Sequence, residues 1–344
     1  MENFFIIKIL FLTALSAGVA VLWTPALTHF LYKYKLGKSI RNNGTTPIFT
    51  KLHKDKEGTP TMGGLIIWVT VLVLALAFFY AAKFVDLDFF QQMNFLTRSQ
   101  TLLPLGCLVA AALVGLIDDI LDIRGKGKGG MRVRQRLIIY TLIAIVGALW
   151  FYYKLDWDLL HIPFVGNWQV GLWYIPIFVF VIVATAFSVN QIDGLDGLAG
   201  GTLLTAFGAY GIIAFVQGKF DLAAFCGVII GALIAFLWFN IKPARFFMGD
   251  TGAMSLGVTL GIIAMLTNQA LLLPVIGILF VVEALSSIIQ VVSKKLRGKK
   301  IFLSSPIHHH LEAVGWPEYK IVMRFWLISG IAAVIGLILF LLDK

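Results

Sequence analysis

The sequence predicts an all-α polytopic membrane protein with about ten transmembrane helices. Its residues are 59% hydrophobic and only 13% charged, with a mean hydropathy of +0.89. Soluble domains average about 45–50% apolar and about 25% charged residues. Apolar runs of about 20 residues, the length that crosses a hydrocarbon core, recur along the whole chain. The dyad alternation of a membrane β-barrel is absent.

The hydropathy pattern places spans at about 4–30, 62–82, 101–117, 136–153, 172–189, 199–217, 222–239, 253–268, 270–292 and 321–342. The first is too long for a signal peptide, lacks a small-residue cleavage pattern and runs into a basic loop, so it reads as a span. One integral-membrane domain over 1–344 is expected. Cys107 and Cys226 fall inside apolar spans, which argues for buried small hydrophobes rather than a disulfide framework.

Charge orients the bundle. Of 28 Lys and Arg residues, 22 fall in the segments after the first, third, fifth, seventh and ninth spans. By the positive-inside bias those segments face the cytoplasm and both termini are extracytoplasmic. Much of the +10 net charge is therefore topological. No soluble domain is left to carry a nucleic-acid patch, so nucleic acid is excluded as a partner.

Asp118, Asp119, Asp193, Asp196 and Asp250 all lie in those cytoplasmic segments, each within a few residues of a predicted helix end. Carboxylates near lipid are costly and mark sites. A transporter would place such groups near the midplane on broken helices. Crowding at one interface points instead to chemistry joining a cytosolic compound to one held in the bilayer, with the active site at the cytoplasmic face.

Four clusters could carry that chemistry. Asp118 and Asp119 close the third span in Gly-Leu-Ile-Asp-Asp. Neighbouring carboxylates cannot share one helical face, so they should do different jobs; Asp122 reads as the solvated member. In Asn190-Gln-Ile-Asp193-Gly-Leu-Asp196-Gly197, the two acids are about one helical turn apart and can point the same way. Asn240 opens a loop in which Phe246 and Phe247 offer stacking surfaces and Asp250, after Gly249, offers a hard oxygen ligand. Magnesium prefers one or two carboxylates with water and phosphate oxygens, which this composition suits. Zinc is disfavoured because these loops hold no Cys.

The fourth cluster is His308-His309-His310-Leu-Glu312. Three consecutive histidines cannot all reach one ion from a regular helix, and magnesium is a poor imidazole partner. Phosphate or nucleotide contacts fit better. Lys56, before Gly58-Thr-Pro-Thr61-Met-Gly-Gly64, and Arg134 and Arg136, before the fourth span, supply basic partners. Glu283 and Gln290 are seven apart and share a helix face.

With these residues assembled, the chain resembles the polyprenyl-phosphate hexosamine-1-phosphate transferase superfamily, and within it the phospho-N-acetylmuramoyl-pentapeptide transferase family. The matching segments are GTPTMGG (58–64), GLIDD (115–119), NQIDGLDGLAGG (190–201), WFN (238–240), FFMGDTG (246–252) and PIHHHLE (306–312). They run in order over most of the chain.

The resemblance implies a bacterial inner-membrane enzyme. Its reaction passes phospho-MurNAc-pentapeptide from UDP-MurNAc-pentapeptide to undecaprenyl phosphate, giving lipid I and UMP, with Mg2+ required. It also implies a homodimer. By motif position, Asp250 resembles the magnesium ligand, and Asp118 and Asp119 the pair near the lipid phosphate. Asn190, Asp193, Asn240, Phe247, Gly249 and Gln290 resemble substrate-binding positions. Lys56, Thr61, Asp196, His308 and His309 resemble phosphate and active-site contacts.

Departures are present. Gln191-Ile192 replaces a usual Leu-Thr, Phe187 stands at a common Asn, Asn43-Gly-Thr-Thr-Pro47 replaces an Asp-Gly-Pro-x-Ser-His stretch, and Arg136 and Tyr140 replace a usual Lys and Gln. The rival reading within the superfamily is a transferase for UDP-GlcNAc or a related UDP-sugar; a membrane transporter is the rival from another class.

Overall fold

The computed structural model describes residues 2–37, 56–125 and 130–344. The Asn43–Pro47 stretch and the basic residues Lys38, Arg41, Lys51, Lys54, Lys126 and Lys128 lie outside the described residues. In chain order the helices are α1 (Glu2–Lys33), α2 (Leu65–Phe84), α3 (Asp88–Met93), α4 (Leu102–Arg124), α5 (Val133–Lys154), α6 (Tyr174–Ile192) and α7 (Leu198–Val216). They continue with α8 (Phe220–Asn240), α9 (Gly249–Leu266), α10 (Leu273–Ile276), α11 (Ile278–Arg297), α12 (Ile307–Ala313) and α13 (Glu318–Leu342). Among the described residues nine helices are long and apolar enough to cross a bilayer, and the bent pair ending in α11 makes a tenth. The predicted all-α membrane class holds.

Every residue of α9 is buried, so this helix is the pillar of the bundle. Its sequence explains the position. Gly252, Ala253, Ser255, Gly257, Thr259, Gly261 and Ala264 keep its girth small, and small residues let helix backbones approach closely in membranes. A Cβ on Gly257 would stand 2.8 Å from the Cα of Ala186 on α6. Helices α4, α6 and α7 pack around the pillar, while α1 packs along α8. Cys107 and Cys226 are both buried and unpaired, as the sequence predicts.

Two predicted boundaries change. The third span runs on to Arg124, so Asp118 and Asp119 sit on the last helical turns rather than past them. The ninth span is not continuous: the chain bends by 82° between 276 and 278. Pro274 at the start of α10 and Gly277 at its end explain the break.

At one end of the bundle, β1 (Leu159–Ile162) pairs antiparallel with β2 (Gly166–Gln169), Leu159 opposite Gln169 and Ile162 opposite Gly166. Asp343 joins this hairpin to the C-terminal segment: its Oδ2 lies 2.5 Å from His161 Nε2, and its Oδ1 accepts the Phe164 N–H at 2.5 Å. At the same end Lys8 donates to Asp221 at 2.9 Å and to the Asn94 carbonyl at 2.8 Å. Both described chain ends therefore lie opposite the end where α4 and α6 finish and α5 and α9 begin, which is where the acids are.

Candidate active site

Two loops are zipped together before any side chain is placed. Gly63 and Gly64 donate to the carbonyls of Phe247 and Met248, each at 2.8 Å, and the Phe247 N–H donates to Pro60 at 2.8 Å. Close approach requires the glycines. A Cβ on Gly63 would lie 2.4 Å from Phe246 Cδ2, and one on Gly64 2.3 Å from the Gly252 Cα. This pairing sets the GTPTMGG segment against FFMGDTG.

Asp119, 1% exposed, then anchors the start of α9. Its Oδ1 accepts the Asp250 N–H at 3.1 Å and its Oδ2 the Thr251 N–H at 3.0 Å, while Thr61 Oγ1 donates to Oδ1 at 3.3 Å. A carboxylate at a helix N-terminus satisfies orphan donors and complements the dipole. Gly249 permits the approach: its φ is +73°, and a Cβ there would lie 2.6 Å from Thr61 Oγ1. Asp119 and Thr61 thus hold Asp250 in place.

Asp118, one residue earlier, faces elsewhere, as the different-jobs argument requires. It is 0% exposed. Its Oδ1 accepts the Met131 N–H, and its Oδ2 lies 2.6 Å from Arg136 Nε. The same guanidinium donates from Nη2 to Asp250 Oδ2 at 2.9 Å and from Nη1 to Asn190 Oδ1 at 3.0 Å. Asn190 Nδ2 closes the ring by donating to Asp250 Oδ1 at 2.5 Å. Arg136 therefore bridges α4, α6 and α9. Only a planar fork reaches three groups in this way; an ammonium is a point charge.

A second cluster is built on Asp196. Lys56 Nζ donates to Asp196 Oδ1 at 2.6 Å and also to Glu318 Oε1. Glu318 Oε1 accepts the Asp196 N–H at 2.8 Å, and its Oε2 pairs with Lys242 at 2.8 Å. The hydrogen bond to Glu318 raises the Lys242 pKa above its ordinary value, against the opposing effect of burial. Lys56 Nζ stands 5.9 Å from the Phe247 ring centroid. Phe247 is half-buried and lies beside this cluster, whereas Phe246 packs in the core against Phe236 and Phe239 and offers no stacking surface.

Other sequence candidates tie loops together. Asn240 Oδ1 accepts the Gly197 N–H at 2.9 Å while its Nδ2 donates to the Phe246 carbonyl at 2.8 Å. Gln290 accepts from Ile301 and Phe302 N–H, both at 3.0 Å, and donates to the Phe302 carbonyl at 2.8 Å. Asp193 ends α6, and Asp196 lies in a turn closed by Gly197 at φ +79°, so their spacing is not a helical face. Asp122, expected in solvent, is only 6% exposed because α4 continues past it.

The three histidines take three different partners through Nδ1, although the His308 and His309 rings lie 4.0 Å apart. His308 Nδ1 lies 2.8 Å from Glu283 Oε2, His309 Nδ1 2.7 Å from Glu312 Oε2, and His310 Nδ1 accepts the Leu303 N–H at 3.2 Å. No group of three His, Cys, Asp or Glu able to hold a metal occurs among the described residues. Magnesium nevertheless fits a smaller donor set, the carboxylates of Asp118 and Asp250, which one guanidinium brings together. Glu318 escaped the sequence reading because it opens an apolar span. Arg136 stood out in sequence as a basic partner before the fourth span and as the replacement for a usual Lys, but its bridging role was not visible.

Known proteins match this sequence. The glycosyl transferase family 4 profile covers residues 101–268, and the phospho-N-acetylmuramoyl-pentapeptide-transferase signature 1 covers 56–67. Relatives named phospho-N-acetylmuramoyl-pentapeptide-transferase align with most of the chain. The one from Chloroflexus aggregans is 43% identical over 91% of this chain and 84% of its own. That from Geobacillus sp. strain WCH70 is 39% identical over 94% and 95%, and that from Bacillus subtilis strain 168 is 38% identical over 96% and 97%. Identity of 38–43% over nine-tenths or more of this chain makes it a member of the phospho-N-acetylmuramoyl-pentapeptide-transferase family.

Proposed function

We propose that this protein, in the bacterial inner membrane, transfers phospho-MurNAc-pentapeptide from UDP-MurNAc-pentapeptide to undecaprenyl phosphate, yielding lipid I and UMP. The observation that carries the reading is the Asp118–Arg136–Asp250 bridge, closed by Asn190 at one end of the bundle. By the charge bias that end is cytoplasmic.

Two anions must meet here, so the work is neutralisation and alignment more than covalent help. An oxygen of the lipid phosphate attacks the sugar-linked phosphorus of the donor; the bond to the bridging oxygen breaks, and UMP leaves with that electron pair. The lipid phosphate is already a competent nucleophile, so no covalent aspartyl step is needed. Arg136 takes up phosphate charge while Asp118 and Asn190 aim its fork. Lys56, steered by Asp196 and Glu318, offers a second cation beside Phe247, the surface for the uracil ring.

Asp250, with Asp118 beside it, would hold Mg2+, which when bound supplies charge neutralisation on the phosphate oxygens. Asp119, Thr61, Gly249, Asn240 and Gln290 hold the loops in register; Asp193, His308 and His309 complete the donor side.

The test is UMP release by purified protein given undecaprenyl phosphate, Mg2+ and one UDP-sugar at a time. Release from UDP-MurNAc-pentapeptide, abolished by a chelator, is expected. Release from UDP-GlcNAc alone would reassign the donor, and uptake into proteoliposomes without UMP would replace the enzyme reading.

A further inference from the structure

Glu283, which has no role in the transfer site described above, pairs with His308. Both side chains are 0% exposed, and they come from different helices, α11 and α12. Glu283 Oε2 lies 2.8 Å from His308 Nδ1. A carboxylate only accepts, so Nδ1 carries the proton and the ring has one orientation. The remaining atoms, His308 Nε2 and Glu283 Oε1, are buried with no hydrogen-bond partner.

Such atoms are costly, and an apolar pair of the same volume would be cheaper. The direction of Nε2 supplies the reason. A Cβ built on Gly194 would stand 2.2 Å from His308 Nε2 and 3.1 Å from His309 Nε2. The unpartnered nitrogen therefore points at the backbone between Asp193 and Asp196, the loop that Lys56 and Asn240 also tie down. His309 repeats the design: its Nδ1 is held by Glu312, and the two rings lie 4.0 Å apart.

We propose that Glu283 is a positioning residue for the transfer reaction. It fixes His308 so that Nε2 sits beneath the 193–196 loop and serves the donor's diphosphate there. The inference rests on the donor-side reading above. A carboxylate on Nδ1 both sets the ring and lets Nε2 carry a proton toward a phosphate oxygen, the logic by which a buried acid orients an active-site imidazole.

The test is a double-mutant cycle on full-length protein: Glu283→Ala, His308→Ala and both together, with Glu283→Gln as the conservative change and thermal unfolding measured for each. Glu283→Ala should lower kcat about 10–100-fold, the usual cost of losing an orienting partner, with little change in KM for the UDP-sugar. The double variant should be no slower than His308→Ala alone, and Glu283→Gln, which still accepts from Nδ1, should recover part of the loss. Additive losses, or a parental kcat in Glu283→Ala, overturn the assignment. The His308 ring nitrogen signals in 15N-histidine-labelled protein read the Nδ1 hydrogen bond without turnover. They should move in Glu283→Ala; unchanged signals refute the pairing even if the parent makes no UMP, an outcome that would sink the transfer reading separately.

Discussion

Asp119 Oδ1 accepts the backbone N–H of Asp250 at 3.1 Å, so one acid of the site is the foundation for another. Removing that acceptor leaves buried donors at the start of α9. Asp119→Ala should cost about 0.5–2 kcal/mol as a lost cap, and more where the freed N–H groups stay dry. Thermal unfolding measures it; a parental melting temperature would show that the cap contributes nothing.

Asp250→Asn keeps the shape and removes the charge. UMP release should fall at least about 100-fold, the scale of losing one electrostatic group, while the protein stays folded. Near-parental turnover would remove Asp250 from the metal role.

Arg136→Lys keeps the charge and loses the fork. A single ammonium cannot meet Asp118, Asp250 and Asn190 together, and each charge-assisted hydrogen bond is worth about 1.5–3 kcal/mol. A drop in kcat/KM of at least about tenfold is expected. Equal kinetics for the two residues would mean that charge alone matters at this position.

Gly115→Ala tests the packing of α4 on α9. The added Cβ would stand 2.3 Å from the Asp250 carbonyl oxygen. Overpacking costs about 1–3 kcal/mol, so lower thermal stability and weaker activity should appear together. A stable variant with normal turnover would show that the two helices can move apart freely.

The clip between His161 and Asp343 should depend on pH. Burial disfavours the charged imidazole, but its hydrogen bonds to Asp343 and Asn167 outweigh that and hold its pKa above the ordinary 6.5. The hydrogen bond to His161 likewise holds Asp343 below its ordinary 3.8. A raised pKa gives stability that is full below 6.5 and is lost as pH rises through the folded value. A lowered one gives stability that is full above 3.8 and is lost as pH falls. Hydrogen exchange over residues 159–169 should therefore be slowest between those limits, and a flat profile would count against the clip.

Hydropathy made nearly all of the bundle legible, because a span long enough to cross lipid has few alternatives. The break at Gly277 was not, since Pro and Gly occur within unbroken membrane helices as well. The acids were found by their position at helix ends, but their tasks were not. Asp118 and Asp119 differ only in which side of α4 they occupy, and Asp122 entered the interior when α4 ran past its apolar stretch. The loop ties made by Asn240 and Gln290 were not legible, because a side chain's donors and acceptors are visible in sequence and the backbone groups that take them are not.

The all-buried pillar α9 has a bearing on how the enzyme meets its surroundings. The helix that carries Asp250 in its first turn is buried along its whole length, so changes in membrane thickness or fluidity reach it only through the surrounding helices. The protein thus keeps its most exacting geometry insulated in its own interior and leaves contact with a variable solvent to its periphery.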